Sequence, residues 1–348
     1  MTHYRTADML ASVTFNNFKP CAIEGGWLIS DLPNFVEIYE EGPREGFQIE
    51  PGPISTAQKI KLVDALSHTG LKNIQVCSFV NPRLVPGWAD AEDVVDGFTA
   101  IEGVNYTGLY FNRKGLDRAL EYKNKLTLSG SISLTASEGF TQKNLNRSHI
   151  ENLAAMKRHT AAHFDHKIRV NNIGVMAAFG CNYQGDITPN CVVDTLKDGM
   201  RIAEETGAKI TDFSLADTMG WASPHKIESV LGEVRNEWPE MQISLHLHDT
   251  RGLAVANAYA ALKMGIHRFD STVAGLGGCP FAGQPKAAGN ICTEELVLLC
   301  EELGIETGVN LEALIEVGRL AEDIVRHQLP SELIHAGSLN AFRRNISH

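Results

Sequence analysis

The chain has 348 residues, 43 % hydrophobic and 21 % charged, an ordinary globular composition, and its formal net charge of −11 argues against nucleic acid or an anionic membrane as the main partner. A few local cations or helix N-termini could still hold a phosphorylated ligand. Seven cysteines with no C-x-x-C pair read as reduced thiols in a cytoplasmic setting, and neither a run of about 18 apolar residues nor an apolar stretch behind Met1-Thr2-His3-Tyr4-Arg5 points to a membrane span or a secretory signal.

Residues 1–34 lack periodicity and are expected to form an extension on the surface. Phe35 to Tyr39 reads as a first strand that runs into a turn-rich acidic segment, Glu40 to Gln48, with one arginine. A helix follows from Ser55, with Ser55 or Thr56 as its cap, an apolar stripe of Ile60, Val63 and Leu66, and Gly70 as its stop. Further strands are predicted at Asn73 to Ser78, Tyr106 to Phe111, Leu126 to Leu134, Ile168 to Ala178, Ile210 to Leu215, Gln242 to Leu247 and Arg268 to Thr272. Helical patterns lie between them, at Asp90 to Phe98, Ser148 to His163, Asn190 to Glu205, Pro224 to Arg235 and Leu253 to Met264, and a last one runs from Thr293 to Leu303. Strands alternating with helices imply a parallel sheet, and eight such units in this length imply a (β/α)₈ barrel over residues 35–304. No G-x-G-x-x-G follows the first strand, which speaks against a dinucleotide-binding sheet. Residues 305–348 look helical and could cover the barrel or form an edge for a second copy, so a homodimer is expected.

In such barrels chemistry sits at the C-terminal ends of the strands. Those ends carry Glu40, Arg44, Glu45 and Gln48 (first), Gln75 and Ser78 (second), Asp217 and Thr218 (sixth), His246, His248 and Asp249 (seventh), and the eighth leads to Cys279 and Asn290. His246 and His248 are two apart, so on an extended strand both imidazoles face one space. Neutral imidazole is a common metal ligand, but two cannot fix a divalent ion alone. A carboxylate, the two imidazoles and an amide oxygen would form a mixed N/O set suited to Mg²⁺ or Mn²⁺. The run Gly275-Leu276-Gly277-Gly278-Cys279-Pro280 leaves its thiol no helix or strand to hide in, so Cys279 is expected to be functional. The other cysteines read as structural, and His68, His149, His159, His163 and His166 as solvated.

Five motifs carry a resemblance over about Phe35 to Leu314. They are Gly42-Pro43-Arg44-Glu45-Gly46, Ser78-Phe79-Val80-Asn81-Pro82, Asp217-Thr218-Met219-Gly220, His246-Leu247-His248-Asp249-Thr250 and Val273 to Pro280. Together they resemble the 3-hydroxy-3-methylglutaryl-CoA lyases, metal-dependent enzymes on TIM barrels that are related to isopropylmalate and homocitrate synthases. The resemblance implies metal ligation by Glu45, His246, His248 and Asn290. It makes Arg44 the group that stabilises an enolate oxygen, Cys279 a lid thiol, and Glu40 and Asp217 acid-base or positioning residues, with Gln48, Gln75 and Ser78 on the substrate's side. It implies retro-Claisen cleavage of a tertiary 3-hydroxyacyl-CoA to acetyl-CoA and a keto acid, with a divalent metal as cofactor and a CoA thioester as substrate.

Three departures matter. Glu45 stands where the family has aspartate, adding about 1.5 Å of reach. Gln75 replaces an acid, and the loop from Cys279 to Asn290 is about two residues longer than usual. These differences lead to the expectation of a related but altered acyl group. Two rivals share the barrel: a condensing acyltransferase of the isopropylmalate or citramalate synthase type, and a non-catalytic ligand-binding barrel.

Overall fold

The computed structural model describes residues 32–50, 52–278 and 289–346. The chain divides into Met1–Asp31 and Leu32–His348, and every described residue belongs to the second unit. Residues 1–31 of the expected surface extension, Cys279 and the loop over 279–288 therefore lie outside the described residues.

The order is β1 (Glu37–Glu40), α1 (Gly42–Ile49), α2 (Thr56–Ser67), β2 (Asn73–Ser78), α3 (Ala91–Gly97), β3 (Asn105–Leu109), α4 (Arg113–Leu120) and β4 (Gly130–Thr135). There follow α5 (Glu138–Leu145), α6 (His149–Asp165), β5 (Val170–Met176), α7 (Pro189–Thr206), β6 (Asp212–Ala216), α8 (Pro224–Glu237), β7 (Gln242–His246), α9 (Ala254–Lys263) and β8 (Arg268–Ser271). A short 3₁₀ turn, Val273–Gly275, leads on, and α10 (Thr293–Glu302), α11 (Leu311–Val325), α12 (Leu333–Ala336) and α13 (Leu339–Ile346) close the chain.

The strands form one parallel eight-stranded sheet ordered β3-β2-β1-β8-β7-β6-β5-β4. Because β1 pairs with both β2 and β8, the first and last units meet and the sheet curls into a TIM-barrel-type fold. Between β3 and β4 no ladder forms among the described residues, although Thr127 N–H donates to Tyr106 O at 2.8 Å across that seam.

Strand periodicity decides what faces where. On β6 to β8 the buried apolar positions Phe213, Leu215, Ile243, Leu245 and Phe269 pack with Val230, Leu231, Val234, Ala258 and Leu262 of the helices. The alternate positions point into a polar lumen. Asn172 there donates to Ser131 Oγ and Ser214 Oγ at 3.0 and 3.1 Å, and Arg268 bridges Glu37 and Asp212 at the strand starts.

The helix ends are set locally. Ser55 and Ser148 form capping boxes with Gln58 and Glu151, as the sequence around Ser55 predicts. Three elements differ from expectation. Gly42–Ile49 is a helix, not a turn: Pro43 starts it, and burial of Gly42 to Phe47 compensates for poor helix propensity. The α4 and α5 helices are too short for a clear period. His163, expected in solvent, is fully buried and stacks on Tyr110.

Candidate active site

The first strand ends on Glu40, which is fully buried and serves as a junction. Its carboxylate accepts from Gly42 N at 2.7 Å, Val273 N at 2.9 Å and Thr293 Oγ1 at 2.6 Å. One side chain thereby ties the turn into α1 to the 3₁₀ turn after β8 and to the start of α10. Burial pushes Glu40 up to about 7, against three donors that favour its anion. Gly42 has no alternative here, because a Cβ would lie 2.5 Å from Glu40 Oε1.

The first helix carries Arg44 and Glu45 inward. All three guanidinium nitrogens are engaged: Nε donates to Gln75 Oε1, Nη2 to Glu41 Oε2 at 2.5 Å, and Nη1 lies 3.0 Å from Glu45 Oε2. One hydrogen on each Nη nitrogen is left over from these contacts. Burial works against the guanidinium's charge, and Glu41 and Glu45 outweigh it. The buried Trp88 fixes the helix at this point by donating Nε1–H to Arg44 O at 2.9 Å.

His246 ends β7 and His248 lies two residues on, so both project to the same side, as the spacing predicts. Their Nε2 atoms are 3.2 Å apart. His246 Nδ1 faces Asp270 Oδ2 at 3.2 Å and Glu41 Oε2 at 3.5 Å. Carboxylates on that side favour a proton on Nδ1, which leaves Nε2 as the ring atom that faces His248. Burial alone would lower both imidazoles. His246 nevertheless rises to about 9, because Asp270, Glu45 and Glu41 surround it, whereas His248 falls to about 4 beside that cation.

Glu45 and Asn290 complete the group from opposite ends of the chain. Glu45 Oε1 is 3.9 Å from His248 Nε2 and accepts from Asn290 Nδ2 at 3.0 Å and Gly278 N at 3.2 Å. Asn290 Nδ2 also donates to Leu276 O at 3.1 Å, and its Oδ1 is buried without a hydrogen-bond partner. Burial opposes the Glu45 anion, but Arg44 and the two histidines bring it down to about 2. The methylene that distinguishes Glu45 from aspartate packs over Gly277, whose φ is +89° and whose Cβ would meet Glu45 Cγ at 2.8 Å.

This donor set fits a divalent cation. Single ligand atoms of Glu45, His246 and His248 lie within 4.8 Å of one another. Neighbouring ligands of an octahedral ion with bonds of about 2.1 Å are about 3.0 Å apart, close to the imidazole separation. The orphaned Asn290 oxygen supplies a further hard donor. Three carboxylates, Glu41, Glu45 and Asp270, also surround a single guanidinium, an excess of negative charge that a dication would neutralise.

Of the residues singled out in the sequence, Arg44, Glu45, Gln75, His246, His248 and Asn290 come together. Asp217 follows β6, and its N–H donates to His246 O at 2.8 Å. Its Oδ1 accepts from Trp221 N at 2.6 Å and Ala222 N at 3.0 Å, whereas Oδ2 is buried and unpartnered, and burial raises the group to about 6. Gln48 Oε1 and Ser78 Oγ are also buried without partners, and no hydrogen bond or ion pair ties either residue to the cluster. Sequence reasoning missed Glu41 and Asp270 as members. The signal for Asp270 was available, since a carboxylate at a lumen-facing position of the strand beside His246 is well placed to meet it.

The chain matches the HMGL-like family over residues 35–321. It is 39 % identical to the hydroxymethylglutaryl-CoA lyase YngG of Bacillus subtilis, over 86 % of this chain and 96 % of that protein. A crystal structure of hydroxymethylglutaryl-CoA lyase from Pseudomonas aeruginosa superposes with a TM-score of 0.80 at 36 % identity, covering 88 % of this chain and 98 % of that one. Another, of an HMG-CoA lyase from Acinetobacter baumannii with coenzyme A and 3-methylmalate, gives 0.78 at 36 % identity over 88 % and 96 %. With a family match across the whole barrel and three likenesses spanning nearly the full length of their counterparts, the chain belongs to the HMGL-like family.

Proposed function

We propose that this protein is a divalent-metal-dependent carbon–carbon lyase, an oxo-acid lyase that cleaves 3-hydroxy-3-methylglutaryl-CoA or a close relative to acetyl-CoA and a keto acid. The observation that carries this is the convergence of Glu45, His246, His248 and the orphaned Asn290 oxygen beside the two spare N–H groups of Arg44. Family membership and the CoA complex of a relative support a CoA thioester as substrate.

Glu45, His246, His248 and Asn290 would hold Mg²⁺ or Mn²⁺, which when bound would polarise the substrate's 3-hydroxyl and neighbouring carbonyl or carboxylate oxygen. Asp217, with one oxygen locked by backbone amides and the other free, is suited to take the hydroxyl proton. The C2–C3 bond then breaks, its electron pair passes to the thioester as an enolate, and the keto acid leaves. Arg44 stabilises the charge developing on the thioester oxygen. Return of a proton to the enolate carbon gives acetyl-CoA, with no water consumed. Glu40, with both oxygens occupied by the junction it holds, fits the positioning role of the two open to it. Gln48, Gln75 and Ser78 stay on the substrate's side of the proposal, and Cys279 as a lid thiol.

A homodimer through the C-terminal segment, where Leu339 and Phe342 of α13 are exposed, belongs to the same reading. So does a cytoplasmic setting, consistent with the free thiols of Cys77, Cys181, Cys191, Cys292 and Cys300. No described helix is long and apolar enough to cross a membrane. The test is purified protein with Mg²⁺ or Mn²⁺ on a panel of 3-hydroxyacyl-CoA thioesters, scored for acetyl-CoA. Cleavage that stops when the metal is chelated is expected. CoA release from acetyl-CoA plus a keto acid, with no acetyl-CoA formed from any of the 3-hydroxyacyl-CoA substrates, would favour the condensing acyltransferase, and a preference for 3-hydroxy-3-methylglutaryl-CoA would remove the altered acyl group.

A further inference from the structure

We propose that Glu41 is a positioning residue of this site: one carboxylate oxygen holds the Arg44 guanidinium and faces the His246 imidazole, so that the two groups keep a fixed separation. The inference rests on the lyase reading above and assigns a role that neither the family resemblance nor the sequence motifs give this position.

Glu41 is the N-cap residue of α1, a position where a short polar side chain ordinarily accepts from the free N–H groups of the first turn. It makes no such bond. Its side chain turns into the lumen instead, with Oε2 2.5 Å from Arg44 Nη2 and 3.5 Å from His246 Nδ1. The backbone holds it there from two sides. Glu41 N–H donates to Ser271 O on β8 at 2.9 Å, and its carbonyl accepts from Glu45 N at 2.8 Å. The carboxylate is therefore anchored to the strand beside His246 and to the helix that carries Arg44 and Glu45.

Packing does not explain a carboxylate at this point. Its side chain is only 13 % exposed and shares the lumen with Glu45 and Asp270, so keeping it there costs free energy. A neutral acceptor would suffice for Arg44 alone, as Gln75 shows at Nε. Asp270 would suffice for His246 alone. Glu41 is the group that touches both. Without it, Nη2 loses its tether and the guanidinium is held only by Gln75 at Nε and by Glu45 at Nη1, so the N–H groups that meet the thioester oxygen shift toward those two partners. A misplacement of about 1 Å in such a group can reduce rate by about 100-fold.

The experiment compares the parent with Glu41→Ala and Glu41→Gln in three measurements: Mn²⁺ affinity by electron paramagnetic resonance, kcat and KM on 3-hydroxy-3-methylglutaryl-CoA, and thermal unfolding. Glu41→Ala is expected to lower kcat about 100-fold with KM little changed, and to weaken Mn²⁺ binding about tenfold. Glu41→Gln keeps an acceptor for Nη2 but not the charge facing His246. It should recover most of kcat while Mn²⁺ binding stays weak. Parent-like kcat and Mn²⁺ affinity in Glu41→Ala, whatever its melting temperature, would overturn the role. If that variant does not fold, unchanged Mn²⁺ affinity in Glu41→Gln overturns it instead. A parent protein that neither binds Mn²⁺ nor forms acetyl-CoA from 3-hydroxy-3-methylglutaryl-CoA defeats the lyase reading itself, and the Glu41 role with it.

Discussion

Gly277→Ala isolates the cation site without removing any of its side chains. Gly277 has φ +89°, so any L-residue there is strained by about 1–2 kcal/mol. The added Cβ would lie 2.8 Å from Glu45 Cγ and 3.0 Å from Asn290 Nδ2. Ordinary carbon contacts begin near 3.5 Å, so Glu45 must retreat by about 0.7 Å and Asn290 by about 0.5 Å. Metal–ligand distances tolerate only about 0.2 Å, and both displaced residues are candidate ligands. A loss of at least about tenfold in Mn²⁺ affinity follows, near 1.4 kcal/mol. Gly207→Ala is the matched control: Gly207 has φ +79° with nothing within 4 Å of its Cβ, so it carries the backbone strain alone. Mn²⁺ titration followed by electron paramagnetic resonance should separate the two variants, although both should melt earlier than the parent. Equal Mn²⁺ affinity in Gly277→Ala and Gly207→Ala would refute the placement of Glu45 and Asn290 around one ion.

Three further outcomes can be checked. Glu40, held at about 7 in the fold against 4.5 for a free carboxyl, keeps its proton more tightly when folded. Its contribution is thus full below about pH 4.5 and is lost as pH rises through 7, by up to about 3 kcal/mol. Glu40→Gln can still accept from Gly42 and Val273 and can donate to Thr293, which then turns to Ser271. Urea unfolding from pH 4.5 to 8 should therefore show the parent losing stability relative to this variant, and a flat difference would count against the buried junction. Arg44→Lys replaces a fork held at three nitrogens by a point charge and should lower kcat about 10²–10³-fold while Mn²⁺ still binds; near-parent turnover would contradict the enolate role. Asp217→Asn should lower kcat by about 10²–10⁴ with little change in melting temperature, since Oδ1 can still accept from Trp221 and Ala222; unchanged kcat would move the proton transfer elsewhere.

The parts of this architecture that depend on periodicity were legible in the sequence. Alternation of strands and helices identified the barrel, and an i, i+2 pair placed His246 and His248 on one side. Glu45 and Asn290, 245 positions apart, have no local pattern to link them; the barrel brings the first and eighth strand ends to one mouth, and the resemblance then gives each a ligand role. The first helix was hidden because Gly42, Pro43 and Gly46 are poor helix formers, and tertiary burial overrides that preference. Glu41 was hidden for a related reason: its direction depends on the helix start that the sequence did not disclose. The fold also separates two neighbouring acids, giving Glu40 to a structural junction and Glu41 to the lumen, a distinction one residue of register decides.

Diffraction from Mn²⁺-soaked crystals at the manganese absorption edge addresses the central claim most directly. The account predicts one anomalous peak about 2.0–2.4 Å from Glu45, from Nε2 of both His246 and His248, and from Asn290 Oδ1. A strong peak elsewhere with none among these four residues would contradict it.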